Sequence, residues 1–395
     1  MFLKSLKNLK NLAGRVIFLR VDFNVPIKNG RVQEDYKIVT GLKTIQFLQS
    51  QGARLIIATH LGEPDGKRVA TYSVKPVAKR LQVLLKSSVK FYSETFSPRV
   101  KAAVDRLKNG EIIFLENLRF NPGETSNDQD FSKKLASLAD VYINDALAVS
   151  HRPHASVAGI RQFLPSYAGF QLEAEVQAFA RVLHPQKPLV IIMGGAKIST
   201  KLPLIEKLYP RSAQILIGGA LANNFFKFKK LEIGRSLYDQ DSFREIKSLF
   251  RGQKLAAKII LPLDVIVQTK DGRALVKELD AVHRSEIILD IGPRTVSNYA
   301  KYIKSAKTLV WNGPMGKFEE KSFQFGTLAI ARLIAERSTG RAYGLVGGGE
   351  TIEALKLTKM TEHVDWISTA GGAMLTYLSG GQMPGLEKII MKKKS

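Results

Sequence analysis

The chain of 395 residues contains no cysteine. Disulfides, zinc–thiolate sites and thiol nucleophiles are therefore excluded, and a reducing cytoplasm is the expected setting. Long apolar runs are also missing, since no window reaches the roughly 18 unbroken apolar residues that a membrane span needs. Residues 1–11 place Lys4, Lys7 and Lys10 among leucines without a long apolar stretch, so they do not read as a signal peptide. Gly-x-x-x-x-Gly-Lys-Ser/Thr does not occur, nor does Gly-x-Gly-x-x-Gly after a strand. A P-loop enzyme and an ordinary dinucleotide-binding dehydrogenase are thereby set aside. Acidic side chains are scarce: 35 stand against 60 basic ones, a net charge of +25.

What is present is the composition of a soluble globular protein, 45% apolar and 24% charged, at a length that holds two domains. The positive charge admits a polyanionic partner such as nucleic acid. Its diffuse spread favours a solvated lysine-rich surface instead. The densest patch, Phe225-Phe226-Lys227-Phe228-Lys229-Lys230, reads as the end of a helix that buries its phenylalanines. The tail Lys392-Lys393-Lys394 is too short for a basic arm.

Residues 169–184 organise the rest. Leu172, Val176, Phe179 and Leu183 recur at helical steps, with Glu173 and Glu175 early and Arg181 and His184 late, as the helix dipole prefers. Pro165 precedes this stretch and Pro185 stops it. Such a helix spans on the order of 22 Å, enough to separate two domains. On both sides short β-rich runs alternate with helix-length segments, the pattern of a parallel sheet covered by helices on both faces.

The two halves end their strands differently. In the first, Val16-Ile17-Phe18-Leu19 runs into Arg20-Val21-Asp22-Phe23-Asn24, and Leu55-Ile56-Ile57-Ala58 into Thr59-His60-Leu61-Gly62-Glu63. Ile112-Ile113-Phe114-Leu115 leads to Arg119, and Val141-Tyr142-Ile143 to His151-Arg152-Pro153-His154. Ligands of open α/β sheets bind beyond the carboxyl ends of the strands, so Asp22, Asn24, His60, Arg119 and Arg152, with His151 and His154, are expected to form one pocket for a small, multiply charged anion. The pair His151-x-x-His154 has no third ligand nearby and does not read as a metal site. In the second half the strand ends are glycine-rich: Gly194-Gly195-Ala196-Lys197, Gly218-Gly219, Asn312-Gly313-Pro314, Gly347-Gly348-Gly349-Glu350-Thr351 and Gly371-Gly372. Backbone N–H groups approach phosphate closely at such loops, which points to a nucleotide site. Lys197 and Lys201 are expected on one face at the start of a helix, facing the phosphates.

Arg20-Val21-Asp22-Phe23-Asn24-Val25-Pro26, His60-Leu61-Gly62, Glu116-Asn117-Leu118-Arg119-Phe120, Gly194-Gly195-Ala196-Lys197, Trp311-Asn312-Gly313-Pro314 and the two late glycine clusters, in this order along nearly the whole chain, resemble phosphoglycerate kinase. The resemblance implies two Rossmann-like α/β domains with mostly parallel sheets, joined by a central helix and hinge. Residues 1–168 would bind 3-phosphoglycerate, 169–184 form the inter-domain helix and 185–379 bind nucleotide, with 380–395 packing back on the first domain. It implies reversible phosphoryl transfer between 1,3-bisphosphoglycerate and ADP, giving 3-phosphoglycerate and ATP, with Mg²⁺, in a cytoplasmic monomer. It assigns substrate binding to Asp22, Phe23, Asn24, Lys37, His60, Leu61, Gly62, Glu63, Arg119 and Arg152. Nucleotide binding goes to Gly195, Ala196, Lys197, Lys201, Gly219, Gly292, Asn312, Pro314, Glu319, Gly348, Gly349, Glu350 and Thr351, with Glu319 on the ribose and Glu350 also on the metal. Lys37, Lys197, Gly371 and Gly372 would serve the transfer itself.

The sequence departs from the family pattern in five places. Lys37 and Glu63 stand at positions where the family carries basic residues, an arginine in the case of Lys37. Thr200 and Glu350 replace aspartates, and Ala370 replaces a glycine. Lysine keeps the charge of arginine but loses its planar fork. The survival of both lysines, the arginines and the glycine loops favours a working kinase. The other reading is a catalytically weakened relative that binds nucleotide or nucleic acid.

Overall fold

The computed structural model describes residues 2–240, 243, 244, 246, 247 and 258–391, so Lys392, Lys393 and Lys394 of the basic tail lie outside it. The chain divides into two compact units, Met1–Gln177 with Gln382–Ser395, and Ala178–Gly381. The excess positive charge is divided almost evenly between them.

In the first unit six strands form one sheet: β1 (Val16–Val21), β2 (Arg54–Ala58), β3 (Val89–Tyr92), β4 (Ile112–Leu115), β5 (Val141–Asp145) and β6 (Ser166–Ala168). Their order is β3-β4-β2-β1-β5-β6 and every pairing is parallel. All six residues of β1 are buried. Successive side chains of a strand point to opposite faces. Ile17, Leu19 and Val21 accordingly join one core with Ile38 and Ile45 of helix α1 (Tyr36–Ser50), while Val16 and Phe18 join the other with Val100 and Leu135. The chain order reverses between β1 and β5, and a sheet of this kind opens its ligand crevice at that switch, beyond the strands' carboxyl ends. The end of the chain belongs to this unit. Gly385 N–H donates to the Ser150 carbonyl at 2.8 Å, and Ile390–Met391 pairs antiparallel with Phe2–Leu3.

Helix α2 (Phe170–Leu183) begins in the first unit and ends in the second. Leu172, Val176 and Phe179 are buried as the periodicity requires, but the next buried residue is Val182 and Leu183 is only half-buried. At its start the Asp145 carboxylate, at the end of β5, accepts from the N–H groups of Gln171 and Leu172 at 2.9 and 3.0 Å. Burial pushes the Asp145 carboxyl up to about 6.

The second unit has another parallel six-stranded sheet, made of β7 (Leu189–Met193), β8 (Ser212–Ile217), β9 (Ile259–Ile260), β13 (Thr308–Asn312), β14 (Tyr343–Gly347) and β15 (Trp366–Ser368) in the order β9-β8-β7-β13-β14-β15. Between β9 and β13 the chain forms a separate antiparallel sheet, β10 (Asp264–Gln268), β11 (Ala274–Glu278) and β12 (Ile287–Ile291), with β10 central. This sheet goes beyond the parallel pattern read from the sequence, although Asp271-Gly272 carries an ordinary hairpin signal. The helices that frame the site are α3 (Leu202–Leu208), α4 (Gly219–Phe228), α5 (Phe325–Ser338), α6 (Gly349–Leu357) and α7 (Gly372–Ser379). Phe225 and Phe226 of α4 are buried, whereas Lys227, Lys229 and Lys230 face solvent.

Candidate active site

In the first unit the carboxyl ends of β1, β2 and β4 bring the expected residues together around His60. Arg20, the fifth residue of β1, is fully buried. Its Nε donates to Ser156 Oγ at 2.9 Å and its Nη1 to the Val21 carbonyl at 2.6 Å. Its Nη2 lies 3.2 Å from His60 Nδ1. A guanidinium has no acceptor, so Nδ1 must accept, and the His60 proton resides on Nε2. Burial lowers the His60 pKa well below the usual range, and Arg20, Arg119 and Lys37 lower it further. His60 is therefore a neutral donor within a ring of cations. Beneath it, Ser156 donates from both N and Oγ to the buried Glu124, at 2.9 and 2.6 Å.

Arg119 is buried and donates through Nη1 to the Gly62 carbonyl at 2.7 Å. Gly62 holds φ +58° with its Cα against the Tyr72 ring, where a side chain would collide. Its N–H meets Asn24 Oδ1 at 3.2 Å. Lys37, on the first turn of α1, pairs with Asp22 at 2.8 Å. Glu63 reaches both Arg119 and Arg152, at 3.5 and 3.4 Å. Phe23 and Leu61 are turned into the core instead. They hold the loops because Phe23 N–H donates to Thr59 Oγ1 at 3.0 Å and the Leu61 carbonyl accepts from Asn117 Nδ2 at 2.8 Å. His154 stands 3.9 Å from Glu124, and its pKa falls to about 4, chiefly through burial and next through Arg119. Burial also lowers the pKa of His151.

The second unit builds its site from backbone. Gly195, Gly219, Gly313, Gly348 and Gly371 all have positive φ. Gly194 packs so closely on the Pro314 carbonyl that no Cβ fits, and a Cβ on Gly219 would lie 2.7 Å from both Gly195 N and the Pro314 carbonyl. The loops are tied by Asn312 Nδ2 to the Gly347 carbonyl and by Gly313 N–H to Thr351 Oγ1, each at 2.7 Å. They border a cavity of about 260 Å³ whose wall includes Gly195, Ala196, Gly219, Ala220, Phe226, Leu237, Val265, Ile288, Ile291, Pro314 and Met315, with the exposed Glu319 and Glu350 also lining it. Gly292 is not part of that lining and closes on the Asp264 carboxylate.

The two lysines depart from expectation. Helix α3 begins only at Leu202, with Pro203 in its first turn, so Lys197 lies on the loop before it and Lys201 is its N-cap residue. They do not share a helix face. Lys197 is exposed, whereas Lys201 is buried, and a Cβ on Gly195 would lie 3.3 Å from its Nζ. Burial lowers the Lys201 pKa and the Glu350 carboxylate opposes that shift. Gly371 caps α7, and nothing lies within 4 Å of a Cβ placed on Gly371 or Gly372, so open space adjoins this end of the helix, while the N–H groups of Ala373 and Met374 donate to the Ala370 and Gly371 carbonyls at 3.0 and 3.2 Å.

The family model described as Phosphoglycerate kinase matches residues 6–381. The chain belongs to the phosphoglycerate kinase family. A phosphoglycerate kinase of Wolbachia pipientis subsp. Culex pipiens is 41% identical over 382 residues, covering 95% of this chain and 96% of that protein. One of Thermosipho africanus is 40% identical over 390 residues, 97% of each. Among solved structures, phosphoglycerate kinase from Coxiella burnetii superposes with a TM-score of 0.85 at 39% identity, and that from Pyrococcus horikoshii OT3 with 0.82 at 30%, each comparison covering 98% of both chains. The two-sheet α/β architecture is that of these neighbours, and the function is phosphoglycerate kinase activity, a phosphotransfer of glycolysis with a carboxyl group as acceptor.

Several residues that shape the candidate site were not singled out from sequence. Arg20 lies 40 positions from His60, and the Ser156–Glu124 pair beneath it is further still, so no local spacing signals them. Asp290 lines the cavity, accepts from Ile291 N–H at 2.9 Å and Gly326 N–H at 2.6 Å, and is pushed up to about 7 by burial. The Leu289-Asp290-Ile291-Gly292 strand end was the available signal.

Proposed function

We propose that the first unit is the 3-phosphoglycerate domain and the second the ATP/ADP domain, with residues 169–184 as the helix between them. The observation that carries this reading is the convergence of Arg20, Arg119 and Lys37 on a neutral, buried His60. Buried positive charge of this density is stabilised by an anion. Arg119 and Arg152 would hold the acid through charge-assisted bonds, His60 Nε2–H and Asn24 would orient it, and Lys37 would neutralise the reacting carboxylate. In the second unit the apolar cavity would take the adenosine, with Glu319 on the ribose, and Lys201 and the glycine loops would take the phosphates.

Phosphoryl transfer demands positioning and charge neutralisation rather than covalent help from the protein. A carboxylate oxygen of 3-phosphoglycerate forms a bond to the γ-phosphorus of ATP as the bond to the ADP oxygen breaks, and the reverse step regenerates ATP. Lys197 and the N–H groups of Gly371 and Gly372 would stabilise the charge on the phosphoryl group in flight. Mg²⁺ belongs to the same reading. Among the described residues no group of three or more metal-ligating side chains stands together. The exposed Glu350 in the first turn of α6 suits the habit of Mg²⁺, which takes one or two carboxylates and completes its shell with phosphate and water. When bound, the ion supplies neutralisation of phosphate charge. Hinge-bending about the helix, a monomeric state and a cytoplasmic location complete the proposal, and scattering with and without both substrates checks the first two.

The deciding assay is ATP-dependent turnover of 3-phosphoglycerate with Mg²⁺, coupled to reduction of the acyl phosphate, with Lys197→Ala alongside. Turnover that collapses in the variant supports these roles. ATP binding without turnover in the unaltered chain would select the catalytically weakened reading.

A further inference from the structure

The anion pocket of the first unit already contains anions of its own, and they are held in different ways. Asp22 is nearly buried and sits 2.8 Å from Lys37, a short and fixed pair. Glu63 is 69% exposed and touches its partners only at 3.5 Å (Arg119) and 3.4 Å (Arg152). One Glu63 oxygen, Oε1, serves both guanidiniums. The two arginines repel each other, and Glu63 is the carboxylate that offsets this at Arg119 most strongly. Arg119 itself is anchored by the Gly62 carbonyl, so it keeps its place if Glu63 leaves.

We propose that Glu63 is a displaceable internal counterion that occupies the edge shared by Arg119 and Arg152 until an acidic substrate takes it. The inference rests on the reading of this pocket as the 3-phosphoglycerate site. An exposed carboxylate on two long contacts is easily displaced, since exposed ion pairs contribute little. Weakly charged anions must still compete with it for both arginines. A doubly charged phosphate neutralises the pair better than one carboxylate does and prevails. Glu63 thus lowers the affinity of the pocket for any anion that must displace it.

The test is calorimetric titration of 3-phosphoglycerate and of inorganic sulfate into the full chain, unaltered, as Glu63→Gln and as Arg119→Ala. Glu63→Gln is expected to bind both ligands about three- to fivefold more tightly at low salt, the range of an exposed ion pair, with the gain fading at high salt. Arg119→Ala is expected to weaken both. If Arg119→Ala weakens binding but Glu63→Gln leaves it unchanged or weaker, Glu63 is not a competitor and this inference fails while the pocket stands. If Arg119→Ala alters neither affinity, the assignment of the pocket fails, and the inference with it.

Discussion

On the proposed reading, the first unit makes its binding surface from long charged side chains gathered at strand ends, some buried and some exposed, and cross-braced by one another. The second makes its surface from glycine backbone, with an apolar wall and one buried lysine. On that reading the same kind of sheet, used twice, would support two recognition strategies. A small acid with charge at both ends needs charged groups directed at it from several strands, and side chains supply the reach. Nucleotide phosphates lying against the protein need many N–H donors at close range, and only a backbone without Cβ atoms allows that approach. The two surfaces should therefore fail in different ways: one when a charge is removed, the other when a methyl group is added.

The largest effect is expected where charge is deepest. Arg20→Met removes the cation that faces Glu124 through Ser156 and should destabilise the first unit by about 3–5 kcal/mol in urea unfolding, the usual range for breaking a buried charged network. Next comes Gly219→Ala, which forces a Cβ against backbone at a positive φ. It should cost the second unit about 1–3 kcal/mol or more and weaken ADP binding while leaving 3-phosphoglycerate binding in place. Lys201→Met should reduce ADP affinity roughly 10- to 100-fold, from the loss of about 1.5–3 kcal/mol of charge-assisted bonding, without unfolding the unit.

Acid should separate the units with the smallest effect. His154 takes its proton near 6.5 in the unfolded chain and only at about 4 in the folded one, and His60 and His151 are lowered too. Protons therefore favour the unfolded first unit, whose histidine contribution is complete above pH 6.5 and is lost as pH falls. Asp290 is shifted the other way, to about 7, so the folded second unit holds a proton that the unfolded chain releases, and its stability rises as pH falls through 7 toward 3.8. Asp145, raised to about 6, offsets part of the histidine loss only at lower pH. Amide exchange of each unit between pH 7 and 6 should show protection falling in the first and rising in the second. His154→Gln should reduce the fall.

Much of this contrast was legible in the sequence because strands and their ends are local. An unbroken apolar run such as Val16–Leu19 declares a strand buried on both faces, and the residues just past it declare what the strand end offers. The charged and polar residues expected at these strand ends do lie near one another around His60. What escaped was non-local or depended on how the chain starts an element. The contact of Arg20 with His60, the Ser156–Glu124 support and the Asp145 cap on α2 join distant positions that no periodicity connects. Lys197 and Lys201 have helical spacing, yet Pro203 places the helix start beyond them, so one lysine lies on an exposed loop and the other is buried. The antiparallel sheet of β10, β11 and β12 was missed because its three five-residue strands are inserted within an otherwise parallel pattern and β11 is almost wholly exposed.

The most direct test of two separate recognition strategies is calorimetry of 3-phosphoglycerate and ADP on Arg119→Ala. The account predicts that 3-phosphoglycerate affinity drops at least about tenfold, as loss of a charge-assisted contact requires, while ADP affinity is unchanged. Unaltered 3-phosphoglycerate binding, or an equal loss for ADP, would contradict it.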